Sequence, residues 1–232
     1  MSIYRIAELN IEIFPQTEYT INQLKDYEVS TKKMDFSVNI QKSDIDYEIN
    51  VGDISDYGIC ESLAIYRKIC KKILADYNGI LFHSAAIKYK GKAYLFTAKS
   101  GTGKTTHIRL WKDLLGDRVA IINGDKPILR LRDDKIIVYG TPWQGKENYG
   151  SNINAPLGGI FLLNRGIENT VEKADTKTAL KFMFAQTLRY QNKENVEKLL
   201  YFMEKIVLKI PIYTLHCNMD ISSVKTSLSV ID

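Results

Sequence analysis

Residues 93–106, AYLFTAKSGTGKTT, carry the clearest chemistry in the chain. Gly101 and Gly103 can adopt backbone angles closed to other residues, so successive N–H groups can turn inward as an anion nest. A helix opening at Lys104 adds the positive end of its dipole. Lys104 offers a mobile cation for β- and γ-phosphates, and the Thr105 hydroxyl is placed to hold Mg²⁺. The candidate phosphate-binding residues are therefore Ser100, Gly101, Thr102, Gly103, Lys104, Thr105 and Thr106. The usual pattern is G-x-x-x-x-G-K-[ST]; here Ala98 stands where the first Gly is expected. The competing reading is a glycine-rich turn with a solvated lysine.

Asp125 is the candidate acid. It lies just past a predicted strand, about 20 residues beyond Lys104, where a carboxylate can face a metal or water. A turn aspartate before Pro127 is the plainer alternative. His83 admits two readings: a strand histidine bonded to backbone, or an imidazole beside the phosphates. Lys146 offers positive charge, Arg165 is either a turn residue or a phosphate contact, and Trp143 reads as a packing anchor.

The elements that must position these residues follow from apolar spacing and turn residues. Residues 93–97 read as the buried strand before the loop, and His107 to Leu115 complete the helix after it, with Gly116 as its cap. Residues 80–89 read as an apolar strand, turned at Lys90-Gly91-Lys92 into the loop strand. Val119 to Ile122 predict a second buried strand, 127–131 and 135–139 a hairpin around Asp133-Asp134, and 156–163 another buried strand. Residues 139–152, rich in glycine, aromatic and amide side chains, read as a functional loop. Helices are predicted over about 175–190 and 193–208, a strand over 210–216, and a short amphipathic helix from Asp220. Upstream, 3–14 predicts a strand broken near Glu8. Residues 34–40 and 45–51 alternate like a hairpin, and 57–77 has one apolar helical face stopped at Asn78-Gly79.

Composition bounds the rest. The 232 residues, 45% hydrophobic and 25% charged, suit a globular chain with a net charge of +5 spread along its length. Neither a nucleic-acid groove nor a membrane span is indicated. Three scattered cysteines and an N-terminus without a leader pattern predict a cytoplasmic protein.

The strand–turn–strand leading into AKSGTGKTT, then INGDKP, then GTPWQGK, then an apolar strand, resembles the catalytic domain of bacterial HPr kinase/phosphorylase. It is most similar to small HPr-kinase-like proteins lacking that enzyme's sensor domain, and the loop also resembles that of phosphoenolpyruvate carboxykinase. The resemblance covers about 78–165. It implies an α/β P-loop domain with a mixed β-sheet and flanking helices over 78–232, one compact unit, after a β-rich extension plus helix over 1–77. It also implies a phosphotransferase using ATP or GTP with Mg²⁺ and acting on a hydroxyl, a serine of a protein or peptide, with a small-molecule acceptor and a homo-oligomer left open. By this resemblance Gly101, Gly103, Lys104 and Thr105 match the phosphate loop. Asp125 matches one of two acids that bind metal and deprotonate the attacking hydroxyl, and His83 matches a histidine near the phosphates. Catalysis then falls to Asp125, Lys104 and His83, and metal binding to Thr105 and Asp125. Gly124 stands where the first acid of the pair is expected, so Asp125 is left to serve either as base or as metal ligand, not both, and an ATP-binding module without transferase activity, acting as partner or sensor, is the alternative. The segment by which the family recognises HPr is not found, so HPr is not the expected acceptor.

Overall fold

Ala7 and Glu8 both take left-handed backbone angles, φ 50° and 62°, and this turn folds the N-terminal apolar run back on itself. The computed structural model describes residues 2–231. Where one strand broken near Glu8 is predicted, β1 (Ser2–Ile6) and β2 (Leu9–Ile13) pair antiparallel. The chain then forms α1 (Glu18–Leu24), β3 (Glu28–Val29) and β4 (Phe36–Val38), giving a four-stranded sheet in the order β3-β1-β2-β4.

Residues 45–51 are not the second strand of a hairpin; they lie in α2 (Lys42–Gly52). Gln41 and Asp44 cap its start reciprocally. The helix buries Ile45 and Glu48, three residues apart, and leaves Tyr47 and Val51 of the alternating apolar set exposed. The Glu48 carboxylate is held by the guanidinium of Arg67, on α3 (Tyr57–Asp76). With α2 in place, this segment carries more helix than strand and is not β-rich.

The chain divides between Tyr77 and Asn78 into two compact units. The second unit is built on one mixed sheet. Its elements are β5 (Gly79–Leu81), β6 (Ala85–Tyr89), β7 (Lys92–Thr97), α4 (Lys104–Leu115), β8 (Val119–Asn123), β9 (Ile128–Arg132), β10 (Lys135–Tyr139), β11 (Asn154–Arg165), β12 (Thr170–Lys173), α5 (Thr176–Phe184), α6 (Lys193–Lys209), β13 (Ile212–Cys217) and α7 (Ser222–Leu228). The strands run β5-β9-β10-β11-β7-β6-β8, with β13 also on β11 and β12 on β13.

Residues 80–89 do not form one strand. The N–H groups of Phe82, His83 and Ser84 donate instead to the carbonyls of Pro127, Gln186 and Asp125, at 3.3, 2.8 and 3.0 Å. The chain therefore leaves the side of β9 at Leu81 and enters the sheet again beside β7 and β8. The helix predicted over 175–190 ends at Phe184, and the carbonyl of Gln186 is the one that receives His83. Arg165 is not in a turn: β11 runs on to it, held by parallel pairing with β13.

Behind the loop, α4 lays Ile108, Trp111 and Leu115 on the sheet. Trp111 is fully buried against Phe96, whose ring stacks on Phe161 at 5.1 Å. Burying each such side chain stabilises the fold by roughly 1.5–3 kcal/mol. No helix among the described residues is long and apolar enough to cross a membrane.

Candidate active site

Strand direction brings three chain segments to one edge. β6 is antiparallel to both β7 and β8. The carboxyl ends of β7 and β8 therefore flank the entry to β6, and the loop after β7, Asp125 after β8 and His83 before β6 meet there.

The loop after β7 turns tightly at residues 99–102, with the Thr102 N–H on the Lys99 carbonyl at 3.2 Å. Gly101 (φ 75°) and Gly103 (φ 114°) hold left-handed angles, and Gly103 is the N-cap of α4. Ser100 and Gly101 are exposed, while Thr102, Gly103, Thr105 and Thr106 are partly exposed around the start of the helix. Lys104 is buried, and its Nζ donates to the Ala98 carbonyl at 3.3 Å, folding the side chain back over the loop. Burial lowers the proton affinity of that ammonium, the Asp125 charge opposes this, and the Lys126 charge adds to it.

Asp125 is gripped from both sides. His83 Nε2 lies 2.9 Å from Oδ1, and Lys126 Nζ binds Oδ2. Burial alone would raise the Asp125 pKa; the His83 hydrogen bond and the Lys126 charge outweigh it and hold the carboxyl well below its ordinary range. The backbone here is set by Asn123, whose Oδ1 accepts from the N–H groups of Asp125 and Lys126 at 2.8 and 2.7 Å. Its Nδ2 donates to Thr141, and the Thr141 hydroxyl donates to the Lys126 carbonyl at 2.8 Å. His83 and Asp125 thus share one cluster with Lys126, Asn123 and Thr141, and Lys104 lies near enough to feel the charges of Asp125 and Lys126.

Gly124 has a structural cause. A Cβ there would lie 2.8 Å from the Gln144 carbonyl and 3.0 Å from that of Tyr149. The loop between β10 and β11 occupies the volume a side chain at 124 would need. In that loop Trp143 is buried, whereas Lys146 is exposed. Arg165 reaches the glycine loop, with Nη2 donating to the Gly101 carbonyl at 2.6 Å.

Among the described residues no group of three or more His, Cys, Asp or Glu is arranged to hold a metal by itself. Mg²⁺ that arrives with phosphates needs only one or two protein oxygens. An ionised Asp125 and the Thr105 hydroxyl are oxygen donors of that kind.

Behind the loop, His107 of α4 is buried among Phe96, Trp111, Ser223 and Ser227. Trp111 Nε1 donates to His107 Nε2 at 3.2 Å, so the ring proton resides on Nδ1, 3.4 Å from Ser223 Oγ. Burial lowers the His107 pKa to about 3.

Sequence reasoning missed Lys126, Asn123 and Thr141. An asparagine two residues before an aspartate is a readable turn signal; the grip of Lys126 on its own neighbour is not. No protein-family model and no curated protein matches the chain. Among solved structures it is similar to the Hpr(Ser) kinase/phosphatase from Coxiella burnetii, with a TM-score of 0.37 and 12% identity, over 65% of this chain and 93% of that one. A score this low carries no functional weight.

Proposed function

We propose that residues 78–232 form a P-loop kinase domain of the HPr kinase/phosphoenolpyruvate carboxykinase type. It binds a nucleoside triphosphate, ATP or GTP, with Mg²⁺ and transfers the γ-phosphoryl group to a hydroxyl, a serine of a protein or peptide. The observation that carries this reading is the meeting of Lys104, Asp125, Lys126 and His83 beside a left-handed glycine loop that opens a helix. Phosphoryl transfer asks a protein chiefly for cradled phosphates, neutralised charge and an aligned acceptor.

In the proposed step the acceptor oxygen bonds to the γ-phosphorus as the bond to the β–γ bridging oxygen breaks, and the nucleoside diphosphate leaves. Asp125 takes the hydroxyl proton. His83, through its 2.9 Å contact, orients that carboxylate. Lys104 and the amides of Ser100 to Thr106 hold the phosphate oxygens. Mg²⁺, when bound, would neutralise charge on the β- and γ-phosphates, with the Thr105 hydroxyl as its protein ligand; Asp125, acting as the base, is not counted among its ligands. The protein is read as cytoplasmic. The test is incubation with γ-labelled ATP and lysate, followed by identification of the labelled species; Asp125→Asn is expected to bind nucleotide and transfer nothing. Transfer retained in that variant removes Asp125 as the base.

One observation favours a second reading, a nucleotide-binding module without transferase activity. The carbonyls of Gln144 and Tyr149 close the space in which a second acid would stand. ATP binding with no labelled product in any lysate or peptide screen would select it.

A further inference from the structure

The strand order separates two ends of the phosphate loop. β6 and β8 lie on one side of β7, and β11 and β13 on the other. The Asp125 cluster stands at the β6/β8 end. At the β11/β13 end a cavity of about 350 Å³ opens directly from the loop, lined by Gly103, Thr106, Leu110, Leu163, Cys217 and Met219 among others. We propose that this cavity takes the nucleoside end of the nucleotide and holds the base by apolar burial rather than by hydrogen bonds to its edge. The proposal rests on the nucleotide-binding reading above.

A triphosphate laid along the loop with its γ end at Lys104 and Asp125 directs its sugar toward Thr106 and the cavity. The volume lies in the range of small-molecule sites. Leu110, Leu163, Cys217 and Met219 give the far walls an apolar character. Polar groups on the loop side, Thr102, Thr106 and Arg165, face the region of phosphates and sugar, and Arg165 is engaged with the Gly101 carbonyl. The polar side chains at the far side of the lining, His107 and Asn218, are already engaged, His107 with Trp111 and Ser223 and Asn218 with its own loop. Asn218 Nδ2 donates to the Ile167 carbonyl at 3.1 Å, and its Oδ1 accepts from Asn169 Nδ2 and the Asp220 N–H at 3.1 and 3.0 Å. A pocket with chiefly apolar far walls discriminates weakly between purines by their exocyclic groups, so ATP and GTP are expected to bind alike.

The test compares Mg²⁺ complexes of ATP, GTP and inorganic triphosphate by calorimetry on the full chain and on Leu110→Ser. For the parent chain, ATP is expected to bind at least about tenfold tighter than triphosphate, and GTP within about threefold of ATP. Leu110→Ser is expected to weaken ATP about fivefold and leave triphosphate within about twofold, which also shows the variant folded. A second readout uses Cys217, the partly exposed thiol, since Cys60 and Cys70 are buried. ATP is expected to slow its alkylation by a maleimide, and triphosphate is not. Equal binding of ATP and triphosphate with Cys217 unshielded overturns the cavity assignment and leaves the phosphate loop standing. A preference above about tenfold between ATP and GTP overturns the account of its lining. Binding of none of the three overturns both readings.

Discussion

Lowering the pH should destabilise the second unit through His107 alone by an amount that can be worked out. The ring is enclosed by α4, the sheet and α7, and burial lowers its pKa from 6.5 to about 3. Above pH 6.5 the ring is neutral whether the chain is folded or not, and it adds no pH dependence. Between pH 6.5 and about 3 the unfolded chain binds a proton that the folded ring refuses, so stability falls as pH falls. The slope is about 1.4 kcal/mol per pH unit, which makes the loss about 2 kcal/mol at a pH of about 5. The assay is urea unfolding followed by tryptophan fluorescence at a pH of about 7.5 and of about 5, on the parent chain and on His107→Gln. Both tryptophans, Trp111 and Trp143, lie in the second unit, so the signal reports that unit. Carboxylates titrate in both proteins, and the difference between the two losses isolates His107. Equal losses refute the reasoning. Should the variant fail to fold, NMR titration of the parent chain's three histidines settles the same point: His107 must not titrate near 6.5.

Four further outcomes are expected. Lys104→Ala should weaken Mg²⁺–ATP binding by about tenfold to a hundredfold in calorimetry, because a charge-assisted contact to phosphate is lost. Asp125→Asn should reduce transfer of label from γ-labelled ATP by at least about a hundredfold, with ATP affinity within a few-fold of the parent. Gly124→Asp, although it supplies the missing acid, should cost about 1–3 kcal/mol in thermal or urea unfolding and gain no transfer, since its Cβ meets two backbone carbonyls. Trp111→Ala should cost about 3–5 kcal/mol in urea unfolding, as its fully buried ring is replaced by a cavity.

The glycine loop between β7 and α4 was legible because its sequence signals are local. Glycines, a lysine and three threonines sit in one run, and the strand and helix around them carry plain apolar patterns. Hairpin turns at Lys90-Gly91 and Asp133-Asp134 were legible for the same reason, all four residues holding left-handed angles. What failed was decided at a distance. Whether 45–51 coils or extends depends on a cap four residues earlier and on Arg67, on another helix, meeting Glu48. The break at Phe82 to Ser84 depends on carbonyls of residues 125, 127 and 186. Lys126 closing on Asp125 depends on Asn123 and Thr141 fixing the turn between them, and neither carries a charge that would draw attention.

β11 pairs with β10 over residues 154–156, with β7 over 157–162 and with β13 over 160–165. It is thus a seam that joins β7 and β10, from before residue 140, to β13, from after residue 153. A protease nick in the intervening loop would leave two fragments still stitched together along that seam. Co-expressed halves divided there are expected to reassemble without a covalent link, a splitting that a cut inside β11 itself would not permit.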